Sequence, residues 1–390
     1  MKEQRLPINI LFDWDAVVRN PYSGFYTFGT GIIEALAGLA RGQSISIRLL
    51  YQNRYEETTK AFMKGLPQDV KGALELKRCL FKFRWIEKLW QYVNIPSLEL
   101  IGGPHAIYHC FHHFMPPSSR GQRLLTIHDL RRYRLPHLYR KSNLRPFELA
   151  VKRADHFLCI SEATKGDLCS IFNIPEERVG VVHLGCKQVE PGKLKGPGRK
   201  ELLASIGATE DRYLVCFSSK DKRKNVRRIC EAFEIARKNI KEPTALVVIG
   251  QIPSDERQEA QRVRGVYFAG TVENIYPWLS QSWGLVFASL YEGFGLPILE
   301  AFQASTPVIT SNCSSMPEVA GDAALLVDPY NAREIATAME TLCNSTQKRQ
   351  ELVERGRRRL EEFTWEKSAA RLIEIYRSLA QRGKSNSGQG

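Results

Sequence analysis

Gly284-Leu285-Val286-Phe287-Ala288, followed shortly by Glu292-Gly293-Phe294-Gly295-Leu296-Pro297-Ile298-Leu299-Glu300, decides how this chain is read. The first run is short and apolar and reads as a buried strand. The two glycines read as a tight loop, and Pro297 as the first position of a helix over Pro297–Ala304. Strand, glycine loop and helix make one repeat of a parallel α/β sheet. The loop brings bare backbone amides close to whatever lies beside it, and the helix N-terminus adds unpaired N–H groups and partial positive charge, an anion site. A carboxylate beside such a site would repel phosphate. Glu292 and Glu300 are therefore read as acceptors for neutral hydroxyls, as on a sugar and a ribose.

Outward from that loop the same alternation continues. Strands are expected at Ile8–Trp14, Ser44–Tyr51, Ile107–Cys110, Arg123–His128 and His156–Ser161, with a helix at Gly29–Arg41 carrying Ile32, Ile33, Leu36 and Leu39 at helical spacing. Residues 191–200 are rich in Gly, Pro and Lys and read as a linker. Beyond it come strands at Tyr213–Ser218, Ala245–Gly250, Val266–Gly270, Pro307–Thr310 and Ala324–Val327, with helices at Val226–Lys238 and Glu256–Arg264. The expectation is α/β, two doubly wound domains over 1–195 and 205–364. A helix at 365–380 is expected to pack back on the first domain, and 383–390 to form a disordered Ser/Gly-rich tail. In such sheets ligands sit at the carboxyl ends of the strands.

Bulk composition agrees with this. The 390 residues exceed one ordinary core. No apolar run approaches the ~20 residues of a membrane span, and the N-terminus leads into a strand rather than a signal peptide. The nine cysteines are scattered without a CxxC pair, which fits buried thiols in a reducing cytosol better than a disulfide framework. The net charge of +14 favours anionic partners without choosing among nucleic acid, membrane or phosphorylated small molecules. No nucleic-acid-binding motif accompanies it.

The Glu292–Glu300 segment resembles the E-x7-E motif of retaining glycosyltransferases with two Rossmann-like domains, the GT-B fold, and of family GT4 in particular. The resemblance covers nearly the whole chain and is tightest over 213–330. It implies that Glu292 contacts the donor sugar, that Glu300 contacts the ribose, and that Gly293, Phe294, Gly295 and Leu296 present their amides to sugar and diphosphate. Ser218-Ser219-Lys220-Asp221-Lys222-Arg223-Lys224-Asn225 ends a strand and opens a helix, and its cations could balance a departing diphosphate. It is similar to the family's basic donor-phosphate motif, which assigns Lys224 first and Arg223 second. Ser219 stands where one common pattern has its arginine. A solvated charged turn is the alternative.

Thr126-Ile127-His128-Asp129-Leu130 ends a first-domain strand. His128 resembles the family's His near the donor sugar, with Asp129 beside it on the acceptor side. Pro21-Tyr22-Ser23-Gly24-Phe25-Tyr26-Thr27 partly resembles the family's glycine-rich loop, which places Gly24 at the donor phosphate and Phe25 on the acceptor side. Ser161-Glu162 could line the same cleft, although Ser161 as a helix N-cap is the favoured reading. Gly29-Thr30-Gly31 is an incomplete dinucleotide fingerprint. The stretch from Ser311 to Ala324 also resembles the family closely and reads as scaffold around the donor site.

Three features point elsewhere and are set aside. Asp13-Trp14-Asp15 fits a D-x-D metal string but ends the first strand of a two-domain chain. His109-Cys110-Phe111-His112-His113, near His105, lacks a second ligand cluster at zinc spacing. Residues 71–92 mix Lys71, Lys77, Arg78, Lys82, Arg84 and Lys88 with Leu80, Phe81, Phe83, Trp85, Leu89 and Trp90. If helical, they could rest on an anionic membrane; a helix covering the sheet is the equal alternative.

The resemblance implies a cytoplasmic enzyme, peripheral on the inner face of the membrane if 71–92 touches it. It would move a hexose by front-face attack between the two domains, without metal or cofactor, the nucleotide-sugar being a substrate. The leaving diphosphate would take the acceptor proton. The resemblance leans to bacterial mannosyltransferases of polysaccharide or lipopolysaccharide synthesis, hence mannose from GDP-mannose onto a glycan or lipid-linked acceptor. UDP-glucose and dTDP-rhamnose follow as donors. A non-catalytic nucleotide-sugar-binding protein is the alternative outside enzymes.

Overall fold

The computed structural model describes residues 7–19, 24–40, 44–79, 89–90, 92–111, 115–118, 120–139, 143–187, 189–194 and 196–387. The chain forms two compact units. One comprises Met1–His128, Lys141–Gly185 and Thr364–Gly390, the other Asp129–Arg140 and Cys186–Phe363.

The first unit is built on seven parallel strands: β1 (Ile8–Asp13), β2 (Ile45–Gln52), β3 (Leu74–Cys79), β4 (Ile107–Cys110), β5 (Gln122–Ile127), β6 (His156–Cys159) and β7 (Val179–Val181), in the order β3-β2-β1-β4-β5-β6-β7. Central strands of a parallel sheet are covered on both faces and so read as continuous apolar runs; in β1, Ile10, Leu11 and Phe12 are almost wholly buried. A short helix, Trp14–Val18, follows β1 directly, and the long helix after it spans Gly24–Ala40, beginning before the expected Gly29. Phe25 and Phe28 extend the apolar stripe of Ile32 and Leu36, so helical spacing reaches back into the stretch read as a loop. Gly29 and Gly31 are packing glycines rather than parts of a fingerprint. A Cβ on Gly29 would lie 2.4 Å from Val17, and one on Gly31 2.3 Å from the Trp365 ring.

Trp365 opens the helix Trp365–Ser387. That helix runs through residues 383–387, correcting the expected tail there; extending a formed helix costs little compared with starting one. Residues 388–390 lie outside the described residues. The helical reading of 71–92 is also corrected. Leu74–Cys79 is a strand that pairs with β2 at the sheet edge, where Lys77 and Arg78 are exposed, in keeping with charged side chains on an open edge. Residues 80–88 and 91 lie outside the described residues. Among the described residues no helix is long and apolar enough to cross a membrane.

The second unit holds six parallel strands: β8 (Arg212–Ser218), β9 (Thr244–Gly250), β10 (Val266–Gly270), β11 (Leu285–Phe287), β12 (Val308–Ser311) and β13 (Ala324–Val327), in the order β10-β9-β8-β11-β12-β13. The stretch expected to be a linker contains the short helix Pro191–Leu194 and the start of the helix Arg199–Ser205, and it packs within this unit. A Cβ on Gly196 would sit 2.5 Å from Pro277, and Asn274 donates to the Lys193 carbonyl at 2.7 Å. The core lies between β8, β9, β11 and β12 and the helices Val226–Ala236 and Ala332–Asn344, with Phe233, Ile335, Met339 and Leu342 fully buried.

Candidate active site

Strand order sets the place of the site. In the second sheet the winding reverses between β8 and β11, adjacent parallel strands joined by the pairing of Leu285 with Val215. Loops leaving two such strands diverge to opposite faces and open a crevice at their carboxyl ends. The loop after β8 carries Ser219, Arg223 and Lys224; the loop after β11 carries Glu292 to Leu296.

Backbone geometry fixes both loops. Asp221 caps the 3-10 turn Lys222–Lys224. Asn225 then adopts the left-handed conformation (φ 61°) and donates to the carbonyls of Ala288 at 2.9 Å and Pro329 at 2.7 Å. The Leu290 N–H donates to the Arg223 carbonyl at 2.8 Å, and Arg223 Nη1 to the Tyr291 carbonyl at 2.9 Å. Further along, Ser315 donates to the carbonyls of Glu292 (2.9 Å) and Phe294 (2.8 Å), and Ser314 to that of Glu292 (2.5 Å). Gly295, at φ 108°, precedes the helix Leu296–Gln303, a conformation that demands glycine. The helix begins at Leu296, one residue before the expected Pro297. Phe294 is buried against Phe363, ring centroids 5.7 Å apart; its ring belongs to the core, and only its backbone faces the loop.

Glu292 is only 8% exposed, and its carboxylate lies between two cations. Arg223 Nη1 pairs with Oε2, and Lys224 Nζ with Oε1 at 2.7 Å. Burial alone would raise this acid; the neighbouring Lys224 and Arg223 outweigh it and hold the carboxyl down at about 2. Arg223 is raised, its carboxylate neighbours overcoming burial, whereas burial draws Lys224 down. The Lys224 ammonium also lies 4.7 Å above the Phe287 ring centre, a cation–π contact that fixes its direction. The sequence reading gave Glu292 neutral hydroxyls to accept from. Glu292 is also the counter-ion of the two cations, as a buried carboxylate needs compensating charge. Glu300 differs: burial pushes it up to about 7 against the pull of Lys224. Ser219 Oγ accepts from the Asp221 N–H at 3.3 Å.

Of the other candidates, Gly24, Phe25 and His128 lie in the first unit and Asp129 in the second. His128 follows β5; its ring is tilted against Phe25 (4.0 Å between centroids) and meets Phe28 edge-on (5.3 Å). Gly24 and Phe25 stand in the first turn of Gly24–Ala40 rather than in a loop, and a Cβ on Gly24 would meet nothing within 4 Å. Pro21, Tyr22 and Ser23 lie outside the described residues. Asp129, grouped with the second unit, pairs with Arg131 at 3.6 Å. Ser161 accepts from Thr164 N at 3.1 Å as a helix N-cap.

The residues set aside have structural uses. Asp13 caps the helix Trp14–Val18, and buried Asp15 accepts from Gln52 N at 2.8 Å. His109 is fully buried between Tyr376 OH (2.6 Å) and Thr126 Oγ1 (2.7 Å), and burial drives it down to about 3. His112 and His113 lie outside the described residues. Among the described residues no group of three or more His, Cys, Asp or Glu is placed to hold a metal ion. Asp221, which pairs with Arg223, Tyr139 and Arg131, which meet Asp221, and the bracing serines Ser314 and Ser315 carry no sequence signal of these roles. Asp221 stands among four cations, Lys220, Lys222, Arg223 and Lys224, whose charge dominates the local pattern.

Two family descriptions match the chain: "Glycosyl transferases group 1" over residues 198–359 and "Glycosyltransferase Family 4" over 38–187. Together with the two parallel sheets, these make it a glycosyltransferase of family GT4 with the GT-B fold. Among its relatives is the O-antigen chain mannosyltransferase B of Escherichia coli, 27% identical over 289 residues, 70% of this chain and 74% of that protein. The O-antigen chain mannosyltransferase RfbU of Salmonella typhimurium is 20% identical over 327 residues, 82% and 87% of the two chains. The sucrose-phosphate synthase of Thermosynechococcus elongatus superposes with a TM-score of 0.68 at 18% identity, covering 96% of this chain and 99% of that one, and shares the fold.

Proposed function

We propose that this glycosyltransferase is retaining and metal-independent, and that it transfers mannose from GDP-mannose to a glycan or lipid-linked acceptor in cell-surface polysaccharide synthesis. Both O-antigen relatives act as mannosyltransferases, which supports the sugar. The observation that carries the chemistry is the pairing of Arg223 and Lys224 with Glu292 at the switch point of the second sheet. Two fixed cations offset the charge that grows on a diphosphate as the glycosidic bond breaks, and preorganised charge of this kind needs no reorganisation during the reaction. Glu292 suits an electrostatic role. Held at about 2, it is too weak a base to take a hydroxyl proton near neutrality. The leaving diphosphate is then the proton acceptor, and attack comes from the face it leaves. Glu300 binds the ribose hydroxyls, and the amides of Gly293 to Leu296 meet the sugar and diphosphate. His128 assists at the donor sugar.

A thermal-shift panel of GDP, UDP and dTDP tests the donor, since a ligand selective for the folded state raises the melting point. GDP is expected to give the largest shift, and Lys224→Ala to abolish most of it. A larger shift with UDP or dTDP would replace the donor, and an unchanged shift in Lys224→Ala would remove the phosphate assignment.

A further inference from the structure

Arg223 is held by two carboxylates, and they differ in kind. Glu292 is shared with Lys224. Asp221 is not; its Oδ2 lies 3.1 Å from Arg223 Nε, and its Oδ1 accepts from the Arg223 backbone N–H at 3.1 Å. Asp221 is in turn fixed from the segment Asp129–Arg140, which belongs to the same unit. The Tyr139 hydroxyl stands 3.0 Å from both of its oxygens, and Arg131 Nη1 is 3.7 Å from Oδ2. The Leu130 N–H donates to the Tyr291 hydroxyl at 3.3 Å, tying this segment to the loop that carries Glu292. Tyr139 satisfies Asp221 with a neutral donor, and of the two cations on Oδ2 Arg223 is the nearer, at 3.1 Å against 3.7 Å for Arg131.

We infer that Asp221 is a positioning residue for Arg223, that Tyr139 acts through Asp221, and that this brace keeps the guanidinium in place when a nucleoside diphosphate takes over from Glu292 as its partner. The inference rests on the reading that Arg223 and Lys224 meet the donor diphosphate. A guanidinium is a planar fork with five donors. With Nε committed to Asp221 and Nη1 tied to the Tyr291 carbonyl, its plane is set before any ligand arrives. Ordering a long side chain at the moment of binding weakens affinity, and pre-ordering removes that cost.

Calorimetric titration of GDP, UDP, guanosine and uridine into wild type, Asp221→Asn, Tyr139→Phe and the double variant tests this. Asp221→Asn should raise the Kd of the nucleoside diphosphate that wild type binds by about tenfold, the scale of one charge-assisted hydrogen bond. The Kd of the matching nucleoside, which carries no phosphate, should not move. Tyr139→Phe should raise the diphosphate Kd by a smaller factor, about threefold, and should add nothing in the Asp221→Asn background, the mark of two residues acting as one chain. An unchanged diphosphate Kd in Asp221→Asn overturns the inference. So does an equal loss for diphosphate and nucleoside, or effects that multiply in the double variant. Should Asp221→Asn not fold, Tyr139→Phe decides by the same diphosphate-against-nucleoside comparison. If wild type binds neither diphosphate, the proposed function fails and takes this inference with it; binding by wild type with no change in the variants sinks this inference alone.

Discussion

Glu292→Gln removes one negative charge from a buried cluster while keeping its shape, and two consequences follow with opposite signs. The first is stability. The Glu292 carboxyl moves from an ordinary 4.5 to about 2 on folding. That depression corresponds to about 3 kcal/mol of stabilisation by the ionised form. Because the folded value is the depressed one, this contribution is complete above pH 4.5 and is lost as pH falls towards 2. Wild type should therefore exceed the variant by about 3 kcal/mol at pH 7, the range expected when one partner of a buried pair is removed, and the gap should close in acid. The second consequence is binding. Lys224 loses its counter-ion and Arg223 keeps only Asp221, and a diphosphate no longer competes with Glu292 for them. At an effective dielectric near 20, a like charge a few ångströms away costs roughly 2 to 4 kcal/mol, so removing one favours a phosphate by that order. Free GDP should accordingly bind at least about tenfold more tightly to the variant, although sugar transfer is abolished. Chemical denaturation at pH 7 and pH 3, with GDP titration at pH 7, measures both. A variant as stable as wild type at pH 7, or one that binds GDP more weakly, would refute the account of Glu292 as internal counter-ion.

Further outcomes are expected at Glu300, Gly31 and Gly24. Glu300, raised to about 7 by burial, is about one-tenth ionised at pH 6 and nine-tenths at pH 8. If its carboxylate accepts the ribose hydroxyls, guanosine affinity should rise about tenfold over that interval and the slope should vanish in Glu300→Gln; the same slope in both proteins would deny Glu300 the role. Folded protein binds this proton more tightly than unfolded, so Glu300 lowers stability as pH rises from 4.5 to 7. Gly31→Ala places a methyl 2.3 Å from the Trp365 ring in a packed helix contact. It should cost about 1–3 kcal/mol, seen as a lower melting temperature, whereas Gly24→Ala, with open space around it, should melt within a degree or two of wild type.

Much of the fold was legible because its signals are local. Apolar runs of strand length, as at Ile107–Cys110 and Val266–Gly270, and helical spacing in Val226–Ala236 depend only on neighbours in the chain. The misreadings occur where local pattern is ambiguous. Leu74–Cys79 mixes charge with apolar residues as an amphipathic helix would, yet it serves as an exposed edge strand. The Gly/Pro-rich stretch near 191–200 looks like a linker because composition cannot report that Gly196 packs on Pro277. Gly29-Thr30-Gly31 resembled a nucleotide loop, but the same small side chains serve close helix packing.

The sequence by itself determined that a strand, a glycine loop and a helix would carry Glu292 and Glu300, since the left-handed turn at Gly295 and the proline at Pro297 are properties of those residues wherever they stand. It also determined that Arg223 and Lys224 would leave a strand end together. Only the tertiary structure decided that β8 and β11 lie side by side, and hence that the cations of one loop and the carboxylate of the other share a single buried site. Charge pairing depends on distance and on exclusion of water, and neither exists until the strands are ordered in the sheet. The same reason hid Asp221 and Tyr139: a phenol and a carboxylate far apart in the chain have no relation until folding places them 3.0 Å apart.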